Sequence, residues 1–229
     1  MKKQLLFIFG LSVLISLTGY SQTILKPNYG LKSHETLEIK KIECTSESTS
    51  VFLSIENRIQ GGAFCADKNI YILYPDGEKS KLISSGGIPI CPESYKFKTI
   101  GEKLDFILVF PPLEEGTEWI DLVEDCDENC FSFYGVTLDQ ALNQRLDEVF
   151  ATASEGTPTD NIILFRSILD SISGQNHGIE GSLYVNIIEA AREESDYVDA
   201  RVWYKRLASS NAPRLKDYIR YLNDRGIKY

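Results

Sequence analysis

The sequence is poor in the residues that several protein classes require. Only 8 of its 229 residues are proline and 16 are glycine, too few for a fibrous or disordered chain. Positive charge is also scarce, because 24 Lys and Arg side chains stand against 33 Asp and Glu, giving a formal net charge of -9. Since nucleic-acid binding depends on neutralising phosphates with cations, this balance predicts no nucleic-acid partner.

Motifs of catalysis and cofactor binding are missing as well. The chain has two histidines, His34 and His177, and it has no G-x-S-x-G, no C-x-x-C, and no glycine-rich loop followed by Lys-Ser or Lys-Thr. We therefore predict no cofactor and no catalytic residue, and we interpret His177 as a loop histidine in water. The alternative is a hydrolase that uses His177 or the acidic segment 114–128.

Apolar runs long enough to cross a membrane are absent after the first twenty residues. Lys2 and Lys3 precede an apolar run over residues 5–17, and the small residues Gly19 and Ser21 follow it. This pattern predicts a secretory signal peptide over residues 1–21 and no stable membrane span after its cleavage.

The number of cysteines is odd. An exported chain meets an oxidising compartment, and five cysteines leave at least one thiol without a partner. We favour the disulfides Cys65–Cys91, beside strand-like segments, and Cys126–Cys130, which would close a short loop. Cys44 is then the free thiol. The alternative is that all five are buried, inert thiols.

Short alternating segments dominate residues 22–137. Apolar and polar side chains alternate over residues 51–56 and 70–74, and turn residues separate such runs. This pattern predicts an N-terminal antiparallel β-sandwich. Residues 104–110 are apolar at nearly every position, which predicts a strand covered on both faces.

A helical period replaces the alternation after residue 137. We predict a helix and linker over 138–157, with the linker itself at 151–156, and helical hairpins over 158–229. Thr157 followed by Pro158 is typical of a helix start. The predicted fold class is therefore α+β in two parts.

The later helices are expected to begin at Ser182, as a cap, and at Pro213. Residues 182–229 carry 9 Lys and Arg against 7 Asp and Glu, whereas residues 22–136 carry 11 against 19. Because the first of these segments is mildly basic and the second is acidic, we expect residues 182–229 to pack against the strand region of the same chain. Binding of these residues to a separate acidic partner is the alternative.

One acidic segment is a candidate cation site. Residues 114–128 contain eight acidic side chains, and Asp125, Asp127 and Glu128 are the sharpest candidates for calcium, which takes six to eight oxygen ligands. The spacing of the EF-hand loop is absent, so we favour a solvated acidic hairpin tip. A calcium-binding exported module is the alternative.

The strand region resembles a module of exported Bacteroidetes proteins, a largely uncharacterised family. The resemblance rests on the segments 106–113, 120–124 and 131–136, which read FILVFPPL, IDLVE and FSFYGV. It implies an immunoglobulin-like fold, an envelope or secreted location and no catalytic residues. The helical end of the chain differs from the β-sandwich sorting domain of secreted proteins in that phylum, which implies a periplasmic or outer-membrane-associated location.

The C-terminal helices resemble one tetratricopeptide unit. The similarity rests on Ala200, Tyr204 and Leu207, with Tyr184 and Ala191 on the preceding helix. These resemblances imply a non-enzymatic envelope protein that acts as a protein–protein interaction or assembly module. The expected partner is another envelope protein, and the sequence leaves its identity and the oligomeric state open.

Overall fold

The computed structural model describes residues 21–229, and the predicted signal peptide lies almost wholly outside this range. Antiparallel sheets form the N-terminal part and helices form the C-terminal part, so the α+β prediction is confirmed. The strands are β1 (Gln22–Leu25), β2 (Leu31–Lys32), β3 (Leu37–Cys44), β4 (Thr49–Glu56), β5 (Ala63–Phe64), β6 (Ile70–Leu73), β7 (Lys79–Lys81), β8 (Ser84–Gly86), β9 (Tyr95–Lys96), β10 (Lys103–Phe110), β11 (Trp119–Glu124) and β12 (Ser132–Thr137). The helices are α1 (Gln140–Glu155), α2 (Pro158–Ser171), α3 (Glu180–Glu193), α4 (Tyr197–Ala208) and α5 (Leu215–Asp224).

Two five-stranded sheets share one hydrophobic core. The strand order is β1-β3-β4-β10-β8 in the first sheet and β2-β12-β11-β6-β7 in the second, and β5 pairs with β9. Leu53 and Leu108 of the first sheet and Ile72 and Phe133 of the second belong to the same buried cluster. Because strand side chains alternate between faces, each sheet directs its apolar face into this core.

Strand β10 is buried on one face only, so the prediction that both its faces are covered is wrong. Phe106 and Leu108 are buried, whereas Asp105 is exposed and Ile107 and Val109 are half-buried. Apolar residues at every position therefore do not imply two buried faces. The outer face of β10 is partly open to solvent.

The helices pack one after another along the chain, and α5 also returns to contact α3. Helix α3 is the most buried of the five, with eight buried residues. Asp139 caps α1 by accepting hydrogen bonds from the Ala141 and Leu142 amides. Thr157 caps α2 by accepting one from the Asp160 amide, as its position before Pro158 predicts. Within residues 21–229, none of the helices is long and apolar enough to cross a membrane.

Three predicted helix boundaries are wrong. Residues 151–155 form the end of α1, so only Gly156 and Thr157 connect it to α2. Residues 151–155 include two alanines, which favour a helix, and they contain no glycine or proline that would end it before Gly156. Helix α3 begins before Ser182, at Glu180, and α5 begins at Leu215 after Arg214 rather than at Pro213.

Helix α1 belongs with the other helices. Its Leu142 and Leu146 are part of the helical core, so the change from sheet to helix falls directly after Thr137.

Candidate functional site

A buried ion pair joins the sheets to the helices. Arg214, just before α5, contacts Asp121 Oδ2 in β11 through Nη2 at 2.6 Å and Nε at 2.8 Å. The Asp121 side chain is 3% exposed, and its Oδ1 accepts a hydrogen bond from the Gly135 amide at 2.7 Å. Burial raises the pKa of Asp121, although the Gly135 amide and Arg214 oppose this by stabilising the carboxylate. The expected docking of the helical tail on its own sheets is therefore present.

Glycines allow close approach at the same junction. A Cβ atom on Gly178 would lie 2.7 Å from the Trp119 ring, and one on Gly135 would collide with the Gly178 carbonyl. A Cβ on Gly181 would overlap the ring of Tyr218, which is 1% exposed. The absence of side chains at these positions lets the two parts pack without a gap.

His177 lies at this junction with its side chain only 12% exposed, so its interpretation as a histidine in water is wrong. The Trp119 indole holds the loop by donating to the Asn176 carbonyl at 2.8 Å. His177 Nδ1 is 3.5 Å from Glu118 Oε2. Within residues 21–229, His177 Nδ1 has no hydrogen-bond partner, so no hydroxyl or thiol is paired with this nitrogen.

The other histidine contacts a serine that sequence reasoning missed. The Ser33 hydroxyl lies 2.9 Å from His34 Nδ1 and also accepts a hydrogen bond from the Ser132 amide at 2.9 Å. Burial lowers the pKa of His34. The Ser33 hydroxyl thus takes part in the contact with β12.

The acidic segment 114–128 does not form one cluster. Asp121 and Glu124 are buried in β11, whereas Asp125, Asp127 and Glu128 are exposed in the loop that follows. The exposed residues lie in the solvated hairpin tip that the sequence predicts, closed by the Cys126–Cys130 disulfide, whereas the two carboxylates of β11 lie outside this tip. Among residues 21–229, no group of three or more His, Cys, Asp or Glu side chains is placed to hold a metal ion.

The structure contains both favoured disulfides. Cys65 is bonded to Cys91 with an S–S distance of 2.00 Å, and Cys126 is bonded to Cys130 at 2.04 Å. Cys44 remains a free, buried thiol, and burial raises its pKa to about 11. A thiol with so high a pKa is a poor nucleophile near neutral pH.

A cavity of about 480 Å³ opens among the helices, and sequence reasoning missed it. Its lining includes the charged side chains of Asp170, Glu180 and Arg206 and the rings of Tyr184 and Trp203. These residues come from three helices, and the loop before α5 closes one side. Local sequence patterns carry no signal for such a cavity, because helical spacing marks Tyr184 and Trp203 only as core residues.

Charge and aromatic surface meet inside this cavity. The Arg206 guanidinium lies over the Trp203 ring, 4.4 Å from its centroid, and the Tyr184 ring is 6.1 Å from that of Trp203. Glu180 Oε1 accepts a hydrogen bond from the His177 amide, whereas its Oε2 is buried without a partner among the described residues. Burial raises the pKa of Tyr184, and the positive charge of Arg206 opposes this. The arrangement can offer both donors and acceptors to a ligand.

No family model, no curated protein and no solved structure matches this chain.

Proposed function

We propose that this protein is an exported, non-enzymatic interaction or assembly module of the cell envelope. In this proposal the two sheets are an immunoglobulin-like sandwich of the exported Bacteroidetes type, and the helices carry the binding site. The protein works in the periplasm or at the outer membrane and binds another envelope component. The observation that carries the proposal is the cavity lined by Tyr184, Trp203 and Arg206.

The size and lining of the cavity support a binding role. Its volume lies within the range of roughly 300–1,000 Å³ that ligand sites occupy. Tryptophan, tyrosine and arginine are the residue types that contribute most to binding energy at protein interfaces. The Arg206 guanidinium lies 4.4 Å from the centroid of the Trp203 ring, and a cation–π contact of this kind favours the orientation that it has in the cavity.

The cysteine pairing supports an exported location. Disulfides persist in oxidising compartments outside the cytoplasm, and the structure has two. The predicted signal peptide fits the same location. Sequencing of the mature N-terminus should therefore find a start near Gln22, and a mature protein that retains Lys2 and Lys3 would contradict export by cleavage.

Site-specific photo-crosslinking in the envelope of the source cells tests the binding role. A benzophenone amino acid is placed at Gln175, an exposed residue on the cavity rim, and in a second variant at Glu47, an exposed residue in the turn between β3 and β4. We expect a discrete adduct from position 175 and none from position 47. The absence of adducts at position 175, or identical adducts from both positions, would contradict the proposal.

A further inference from the structure

We propose that the cavity binds a short zwitterionic peptide, with its carboxylate on Arg206 and its amino group on Glu180. This inference rests on the proposed function, because it names the chemistry that the same site recognises. Three features of the cavity support it: a stacked guanidinium without a carboxylate, a buried carboxylate oxygen without a donor, and an aromatic wall.

Arg206 is the carboxylate anchor. Its guanidinium lies over the Trp203 ring at an exposed position, and within residues 21–229 it forms no ion pair. Arg192 and Arg201 are likewise stacked on tyrosine rings without an acidic partner, but neither of them lines the cavity. A planar guanidinium matches the geometry of a carboxylate and binds it through two parallel hydrogen bonds. The free donors of Arg206 therefore favour a ligand carboxylate.

Glu180 is the acceptor for a positively charged donor. Its Oε1 is occupied by the His177 amide at 2.6 Å, but Oε2 is buried and has no hydrogen-bond partner in the described part of the chain. A buried acceptor without a partner costs free energy, and an ammonium group of the ligand would remove that cost once the Glu180 side chain turns Oε2 toward the cavity. Asp170 lines the same cavity and adds a second carboxylate, which already pairs with Arg166 at 3.5 Å.

The charge balance selects a zwitterion over a simple anion. One arginine and two carboxylates line the cavity, and Arg166 pairs with Asp170 from outside the lining at 3.5 Å, so positive and negative charges balance there at neutral pH. A doubly charged anion such as phosphate would be repelled by Asp170 and Glu180, whereas a zwitterion satisfies both signs. The Tyr184 ring supplies an apolar wall against which a peptide backbone can pack.

Binding of three peptides to the full mature chain, measured by calorimetry and amide NMR shifts, tests the inference. The peptides are trialanine with both ends free, N-acetyl-trialanine and trialanine amide. We expect trialanine to bind with a Kd of the order of 1 mM, as its size allows. Each blocked peptide should bind at least tenfold more weakly, because each lacks one of the two charges.

Two variants on the same helix provide a matched comparison. Arg206→Gln removes the anchor, whereas Arg201→Gln removes an arginine stacked on Tyr229 outside the cavity lining. We expect Arg206→Gln to weaken trialanine binding at least tenfold and Arg201→Gln to change it less than twofold. Glu180→Gln should reduce the preference for trialanine over its acetylated form.

Each contrary result has a defined meaning. Equal binding of trialanine amide would overturn the role of Arg206, and equal binding of N-acetyl-trialanine would overturn the role of Glu180. Inorganic phosphate that binds as tightly as trialanine would show a general anion site and overturn the inference. If no peptide binds at 10 mM, about tenfold above the expected Kd, the inference is wrong. The proposed function is tested separately, by the crosslinks from position 175.

Discussion

Arg214 and Asp121 are 93 residues apart in sequence, and their side chains meet at 2.6 Å where the helices join the second sheet. Arg214 adopts a left-handed backbone conformation, with φ of 57°, which turns the chain into α5. Its guanidinium also lies 4.6 Å from the centroid of the Tyr134 ring. One residue thus directs a helix and contacts two neighbouring strands.

Loss of this arginine should destabilise the whole protein. Arg214→Ala leaves the Asp121 carboxylate buried without its cation. We expect the free energy of unfolding to fall by about 2–3 kcal/mol. This is less than the loss from a fully buried ion pair, because the Arg214 side chain is 30% exposed. Urea denaturation measures the change. Arg220→Ala is the control, since the exposed pair of Arg220 with Asp217 should contribute less than about 0.5 kcal/mol. Equal losses in both variants would contradict the role of Arg214.

The glycine at position 181 is expected to be intolerant of a methyl group. Alanine stabilises a helix interior by about 1 kcal/mol relative to glycine, and this gain is smaller at Gly181, the second residue of α3. In Gly181→Ala the added Cβ would overlap the buried Tyr218 ring, so we expect a net loss of about 2 kcal/mol. Gly86→Ala is the control, because a Cβ there meets no atom within 4 Å. Thermal unfolding of both variants distinguishes a steric clash from a general effect of the substitution.

The two disulfides should differ in their contribution to stability. The Cys65–Cys91 bridge spans 26 residues of sequence and the Cys126–Cys130 bridge spans 4. From loop-closure entropy, replacing both cysteines of a pair by alanine should cost about 3.5 kcal/mol for the longer loop and about 2 kcal/mol for the shorter. Urea denaturation of the two double variants gives the comparison. A greater loss from the shorter loop would contradict this account.

Glu124 should make stability depend on pH. It accepts hydrogen bonds from the Asp67 amide at 2.7 Å and the Phe131 amide at 3.0 Å, but burial raises its pKa above the ordinary value of 4.5. The folded state therefore takes up a proton at a higher pH than the unfolded state does. The contribution of Glu124 to the free energy of unfolding is therefore complete below pH 4.5, and it is lost as the pH rises through the raised pKa of Glu124 in the folded state.

Urea denaturation between pH 4 and 7 tests this dependence. Glu124→Gln cannot titrate, so we expect the unfolding free energy of this variant, relative to that of the unmodified protein, to rise as the pH rises above 4.5. Other groups change protonation over the same pH range in both proteins, because burial raises the pKa of Asp121 and of Glu189 and lowers that of His34, which has the opposite effect on stability. An unchanged difference between the two proteins across this range would exclude Glu124 as a contributor.

Local patterns predicted much of the architecture correctly. Alternation over residues 51–56 and 70–74 identified β4 and β6, and Thr157 before Pro158 identified the start of α2. These signals are reliable because strand alternation and helix capping depend on neighbours a few residues away. The end of α1 was missed, since the small residues at 151–155 suit both a helix and a linker.

The amino-acid sequence by itself determined the order of the two parts, strands up to about residue 137 and helices after it, and the composition of the acidic segment 114–128. Only the tertiary structure decided that Asp121 lies buried against Arg214, that His177 is covered, and that Arg206 and Glu180 line one cavity. The physical reason is that burial and charge pairing depend on which faces of distant elements meet. That information is spread over many contacts, and no single stretch of the chain contains it.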